Sequence, residues 1–277
     1  MKAITGFLLL FLWVLNSLAQ QYDAQWVIGP NISVLNFQNI DTVQLDSIPN
    51  SNMAIFLTSA SISNASGNLL YFTNGIFISD KNGDTLPNGY GLSPCPYTDS
   101  WSVPGLNIPQ AALFIPKPGD STEYYLIHFS NDTLGSALPG TLYYTQVKDS
   151  GSGYVIKKNI PFGKGIFRQG GMTACKHANG RDYWVVMGLN NSNEYFTYLF
   201  TPDSVLGPFI QDIGAYYGLP YDLPYSKFSQ DGCKYATGAH EGLVTVMDFD
   251  RCSGVFSNPE TIFNNASLDT AIDTLTG

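Results

Sequence analysis

One unit recurs along this chain and limits what it can fold into. A turn rich in glycine and aspartate leads into an apolar strand anchored by an aromatic residue. Tyr71 follows "ASGN", Tyr125 follows "PGDSTE", Trp184 follows "NGRD" and Tyr235 follows "QDGCK". The anchors lie about 50–60 residues apart, the period of a four-stranded propeller blade. After each anchor comes a polar loop, a second apolar strand and another Asp- or Gly-rich turn, as in "YATGAHEGLVTVMDFDRCSGVFSNP". Outside the N-terminal segment no long stretch keeps a 3.6-residue period, so a helical body is excluded.

Composition agrees. The chain has 27 glycines and 16 prolines for turns, 17 tyrosines and 17 phenylalanines for half-buried strands, and only 13% charged residues. That favours an all-β domain with ample core material over a disordered chain. Asn82-Gly83 and Asn179-Gly180 mark hairpin turns, the first of type I′. The expected fold is all-β, a β-propeller of four-stranded blades. It would have about four to five four-stranded blades over residues 20–277, incomplete at its C-terminal end.

Residues 1–19, "MKAITGFLLLFLWVLNSLA", place Lys2 before a short apolar run and end in Ser17-Leu18-Ala19. This reads as a secretory signal peptide cleaved near Ala19, with no transmembrane segment after cleavage. The expected location is therefore secreted, extracellular or at the cell surface. A net charge of −9 opposes binding to phosphate backbones, so nucleic acid is not an expected partner.

Export permits disulfides. The four cysteines are Cys95, Cys175, Cys233 and Cys252, with no C-x-x-C pair to suggest a zinc or redox site. Cys233 and Cys252 fall near the ends of neighbouring strands in the fourth repeat, which suggests a bridge there and leaves Cys95 with Cys175. Four free thiols are the alternative.

Several segments, among them "ASGNLLYFTNG", "YYLIHFS", "KHANGRDYWVV" and "DFDRCSGVFSNP", resemble the N-terminal β-propeller region of secreted surface proteins of the Bacteroidetes type. Those proteins are gliding-motility-associated or PKD-domain-containing. The resemblance runs from about Trp26 to the end of the chain and implies a WD-repeat-like or YVTN-like propeller and type IX secretion. The PKD domain and C-terminal sorting tail of that pattern are not in this sequence, so the chain reads as truncated.

No catalytic motif stands out. His128, His177 and His240 are far apart, and none sits in a metal-binding spacing. Asp80, Asn82 and Asp84 match the first ligand spacings of a calcium loop, but Thr85 and Gly91 break its later positions. "GKGIFRQGG" (163–171) lacks the order of a phosphate loop and reads as a flexible inter-blade link. No cofactor or metal is expected. The best binding candidate is the tyrosine cluster Tyr216, Tyr217, Tyr221 and Tyr225, a contact platform for an extracellular protein or glycan. The leading expectation is a non-enzymatic module for adhesion or scaffolding. The alternative is an extracellular glycan-active enzyme with carboxylates at the propeller mouth.

Overall fold

A computed structural model describes residues 21–39, 41–131, 138, 140–217, 225–238 and 242–263. The signal segment, Tyr221 and His240 lie outside the described residues. The described chain forms five antiparallel sheets, each a meander of strands consecutive in sequence. The first blade holds β1 (Gln25–Ile28), β2 (Ser33–Asn36) and β3 (Gln44–Ser47). The second holds β4 (Ala60–Ser63), β5 (Leu69–Thr73), β6 (Phe77–Asp80) and β7 (Thr85–Tyr90). The third holds β8 (Ala112–Pro116), β9 (Glu123–Ser130), β10 (Thr141–Lys148) and β11 (Tyr154–Lys164). The fourth holds β12 (Thr173–Lys176), β13 (Tyr183–Gly188), β14 (Ser192–Phe200) and β15 (Val205–Tyr217). The fifth holds β16 (Tyr225–Phe228), β17 (Lys234–Gly238), β18 (Val244–Asp250) and β19 (Val255–Phe263).

The first strand of each sheet packs against the first strand of the next, in the order β1, β4, β8, β12, β16. Sheets fanned about a shared axis, innermost strands inward, are the β-propeller arrangement expected from the repeat. Close strand packing does not return from β16 to β1 among the described residues. The one described α-helix, Pro96–Ser100, is capped by the Cys95 side chain, and among the described residues no helix is long and apolar enough to cross a membrane.

Burial follows the stacking of blades. In β18 (VTVMDFD) every second residue is buried, the signature of a strand covered on one face. All eight residues of β9 (EYYLIHFS) are buried, because the third blade is covered on both faces. Three apolar clusters fill the gaps between blades. Tyr71, Ile62, Tyr124, Leu126 and Val147 pack the second blade on the third. Tyr125, Ile127, Tyr198 and Phe200 pack the third on the fourth. Trp184, Val186, Tyr195, Tyr235 and Phe249 pack the fourth on the fifth.

The four repeat anchors all fall on the second strand of a blade, β5, β9, β13 and β17. They do not share a face. Tyr71, Tyr125 and Trp184 point forward to the following blade, whereas Tyr235 points back to the fourth. A one-residue offset reverses the face of a strand residue, so the forward position of β17 belongs to its neighbour Ala236. The first blade was missed as a repeat because it has three strands and no aromatic anchor on β2 (SVLN).

Three local expectations change. The four cysteines are free, so neither expected bridge exists; Cys233 and Cys252 are exposed, Cys95 is half-buried and Cys175 is buried. The Asn82-Gly83 turn is not type I′, since Gly83 has φ of 92° while Asn82 stays out of the left-handed region. Asp80 Oδ1 accepts from the backbone N–H groups of Asn82 (2.9 Å) and Asp84 (3.0 Å), so the acid closes the turn itself. The 163–171 link is hydrogen-bonded rather than loose: Gly165, Arg168 and Gly170 donate to the carbonyls of Gly140, Gly188 and Pro109.

Candidate functional site

The end of the fan where the chain enters each innermost strand carries a cleft of about 380 Å³. All five blades contribute to its wall, through Trp26, Ser61, Leu113, Thr173 and Lys227 among others. Its rim is held by hydrogen bonds between entry segments rather than by the sheets. The Gln110 amide spans from the third blade to the fifth, donating to the Ser226 carbonyl at 3.2 Å and accepting from the Ser226 N–H at 3.3 Å. Thr58 donates its hydroxyl to Ile108 O at 2.6 Å. Ser61 donates to Gln25 O at 2.8 Å, and Ser59 donates to Val27 O, tying β4 to β1. A rim fixed this way can hold functional groups in place without help from mobile loops.

Two charged groups line the cleft, Asp23 from the first blade and Lys227 from the fifth. Both are exposed. Trp26 is half-exposed there and fixes the turn beneath Asp23 by donating its indole N–H to Asp23 O at 3.0 Å. Tyr22, Phe114 and Tyr225 add aromatic surface. The wall is therefore largely apolar and aromatic, with a few hydroxyls, one carboxylate and one ammonium, a composition suited to a small polar organic ligand.

The tyrosine platform does not assemble as expected. Tyr225 is exposed and lines the cleft, and Tyr216 is exposed at the end of β15. Tyr217 is buried, with its hydroxyl donating to Thr237 O (3.2 Å) and Thr245 Oγ1 (3.0 Å). Alternation along β15 separates the two neighbours to opposite faces. The sequence reading missed Asp23 and Lys227, because neither sits in a motif; only the position of the innermost strands brings them to one cleft.

The two described histidines, His128 and His177, are structural. Asn179 N–H donates to His177 Nδ1 at 2.9 Å, so the ring proton sits on Nε2, which donates to Cys252 O at 3.1 Å. His128 is fully buried, and burial pushes its pKa down to about 3. Its Nδ1 meets Ser93 Oγ at 2.7 Å and its Nε2 meets Thr145 Oγ1 at 2.9 Å. This serine–histidine pair, invisible in the sequence, has nucleophile-like geometry. Ser93 is only 1% exposed and His128 0%, so no substrate reaches it. Among the described residues no group of three His, Cys, Asp or Glu side chains is placed to hold a metal ion.

No family model and no curated protein matches the chain. Solved structures do. The periplasmic gluconolactonase of Pseudomonas aeruginosa is similar at 10% identity and a TM-score of 0.45, covering 83% of this chain and 64% of that one. A protein assigned as a 6-phosphogluconolactonase from Bacteroides fragilis is similar at 14% identity and 0.46, over 86% and 68%. An oligogalacturonate lyase in complex with manganese is similar at 11% identity and 0.40, over 88% and 62%. The chain thus spans about two thirds of the length of these proteins. Their names are those of enzymes, in contrast to the expected non-enzymatic module; at 10–14% identity the likeness concerns the fold. An exposed carboxylate and an exposed ammonium line one walled cleft.

Proposed function

We propose that the axial cleft is the active site of a hydrolase for sugar-derived lactones or esters. The observation that carries this reading is the presence of one carboxylate, Asp23, and one ammonium, Lys227, on the wall of a single cleft edged by aromatic rings. Retaining and inverting glycosidases work with two carboxylates, and the described lining supplies one. A single carboxylate suits a base that takes a proton from water as the water attacks a carbonyl. Lys227 then stabilises the oxyanion that develops on the carbonyl oxygen, and as the oxyanion collapses and the ester C–O bond breaks, Asp23 returns its proton to the departing oxygen. Trp26 and Tyr225 offer apolar faces to a sugar ring, and the cleft hydroxyls offer hydrogen bonds to its periphery. Under this reading the expected glycan-active alternative is kept, with its pair of mouth carboxylates replaced by an acid and a lysine. The signal-like residues 1–19 support action outside the cytoplasm.

The test is a pH-stat assay of proton release against a panel of aldono-lactones and sugar acetates, using the purified chain from residue 20. Turnover above the uncatalysed rate, abolished in Asp23→Asn, is expected. Equal rates with the native chain and the variant on every substrate would overturn the reading.

A further inference from the structure

We propose that Arg168 anchors a buried site for a small monovalent anion, of the size of chloride, between the fourth and fifth blades. Arg168 lies on the segment crossing from β11 to β12, and its backbone N–H is fixed to Gly188 O at 2.9 Å. The residue is 3% exposed. Its guanidinium carbon stands 4.9 Å from the centre of the Tyr195 ring and 4.6 Å from that of Tyr217. The two rings attract the charge through their π faces. They cannot accept the hydrogen bonds of the guanidinium edge, where its five N–H donors point.

Those donors have no protein partner. Nε, Nη1 and Nη2 of Arg168 are all buried without a hydrogen bond, and the described ion pairs do not include Arg168. Arginine does not escape by losing its proton, as a buried lysine or histidine would. A buried charge persists only when paired and hydrogen-bonded. A further hydroxyl nearby is also unused, that of Tyr195, whose ring centre lies 5.7 Å from that of Tyr235. One fixed positive charge, an unfilled fork of N–H groups and an idle phenol form a buried, donor-rich cluster. An anion satisfies that set, and a single charge balances it. The backbone is shaped for the arginine too: a Cβ at Gly188 would lie 1.9 Å from Nη2.

The experiment uses thermal melting of the purified chain at fixed ionic strength, with sodium methanesulfonate exchanged stepwise for sodium chloride or bromide. A ligand that binds only the folded state raises the melting temperature in a saturable manner. The expected result is a saturable rise of several degrees with either halide, absent in Arg168→Met. No halide dependence, or an equal dependence in Arg168→Met, overturns the proposal. Should Arg168→Met fail to fold, crystals of the native chain soaked in bromide decide the matter. An anomalous peak within hydrogen-bond distance of the guanidinium supports the site, and its absence sinks it.

Discussion

The indole N–H of Trp184 donates to the backbone carbonyl of Arg251, 2.9 Å away in the following blade. This bond joins the two most distinctive segments of the sequence, "NGRDYWVV" and "DFDRCSG". His177, from the turn before Trp184, reaches Cys252 O in the same loop. Gly254 completes the contact, since a Cβ there would meet the Trp184 ring at 2.6 Å. The second and third blades use the same device: Tyr71 donates its hydroxyl to Asp149 at 3.0 Å, and a Cβ on Gly153 would meet that hydroxyl at 2.4 Å. At Tyr71 and Trp184 the anchor aromatic is thus a forward latch onto the Asp-to-Gly turn of the next blade. The repeat in the sequence records contacts between blades as much as the blades themselves.

The latch can be broken in two ways. Trp184→Phe keeps most of the packing but removes the indole bond to the Arg251 carbonyl, which retains its bond from Ala178 N–H at 3.1 Å, and should cost about 0.5–1.5 kcal/mol. Gly254→Ala forces a side chain into the indole at a φ of 74°, and should cost at least as much. Urea denaturation of both variants, of Trp184→Ala and of Trp184→Ala/Gly254→Ala checks this. The double variant should be less destabilised than Trp184→Ala and Gly254→Ala combined, because removing the indole relieves the clash.

How far the sequence shows these features depends on their range. The blades are legible because period-2 burial and glycine turns are local: Asn74-Gly75 separates β5 from β6 just where the apolar runs break. The direction of Tyr235 was not legible, because one residue of register decides which blade it faces. The disulfides failed for a related reason. Cys233 does lie near β18, with its carbonyl accepting from Phe249 N–H at 2.9 Å, but adjacency of backbones does not aim two side chains at each other. Asp23, Lys227 and Arg168 were illegible altogether. Their surroundings come from chain segments far apart in sequence, brought together only by the fanning of the blades about their axis.

The free thiols make a chemical prediction. Cys233 and Cys252 are exposed and should react quickly with a thiol reagent in the native protein, whereas burial pushes the Cys175 pKa to about 12. Since the thiolate is the reactive form, Cys175 should label only on unfolding. Mass spectrometry after timed alkylation reads this directly. Recovery of a Cys233–Cys252 bridged peptide from unreduced native protein would contradict the assignment.

His128 predicts a pH dependence of stability. Its pKa falls from 6.5 in the unfolded chain to about 3 in the fold because burial disfavours the imidazolium. Below pH 6.5 the unfolded chain binds a proton that the folded chain does not. This stabilising contribution is therefore full above pH 6.5 and declines as pH falls, by about 1.4 kcal/mol per unit, until the folded histidine itself titrates near 3. In His128→Gln the proton uptake on unfolding should drop by one between pH 6 and 4. Denaturant titrations across that range compare the slopes, and identical slopes would show that His128 is not held neutral.

The cleft and the buried tyrosine separate function from stability. Tyr225 is 60% exposed in the axial cleft and Tyr217 is 2% exposed beside Arg168. Tyr225→Ala should leave the melting temperature nearly unchanged while raising KM, because it removes an apolar face from the substrate and nothing from the core. Tyr217→Ala should act in reverse, costing about 3–5 kcal/mol of stability through the lost ring. Lys227→Met should lower kcat by roughly 10²–10³-fold, the usual loss when one oxyanion donor is removed. Asp23→Asn should lower it by about 10²–10⁴-fold through loss of the base. Steady-state kinetics and melting curves on these four variants form the check. If Lys227→Met and Asp23→Asn change KM alone, the two charges hold the substrate without taking part in its hydrolysis, and the chemistry belongs elsewhere on the propeller.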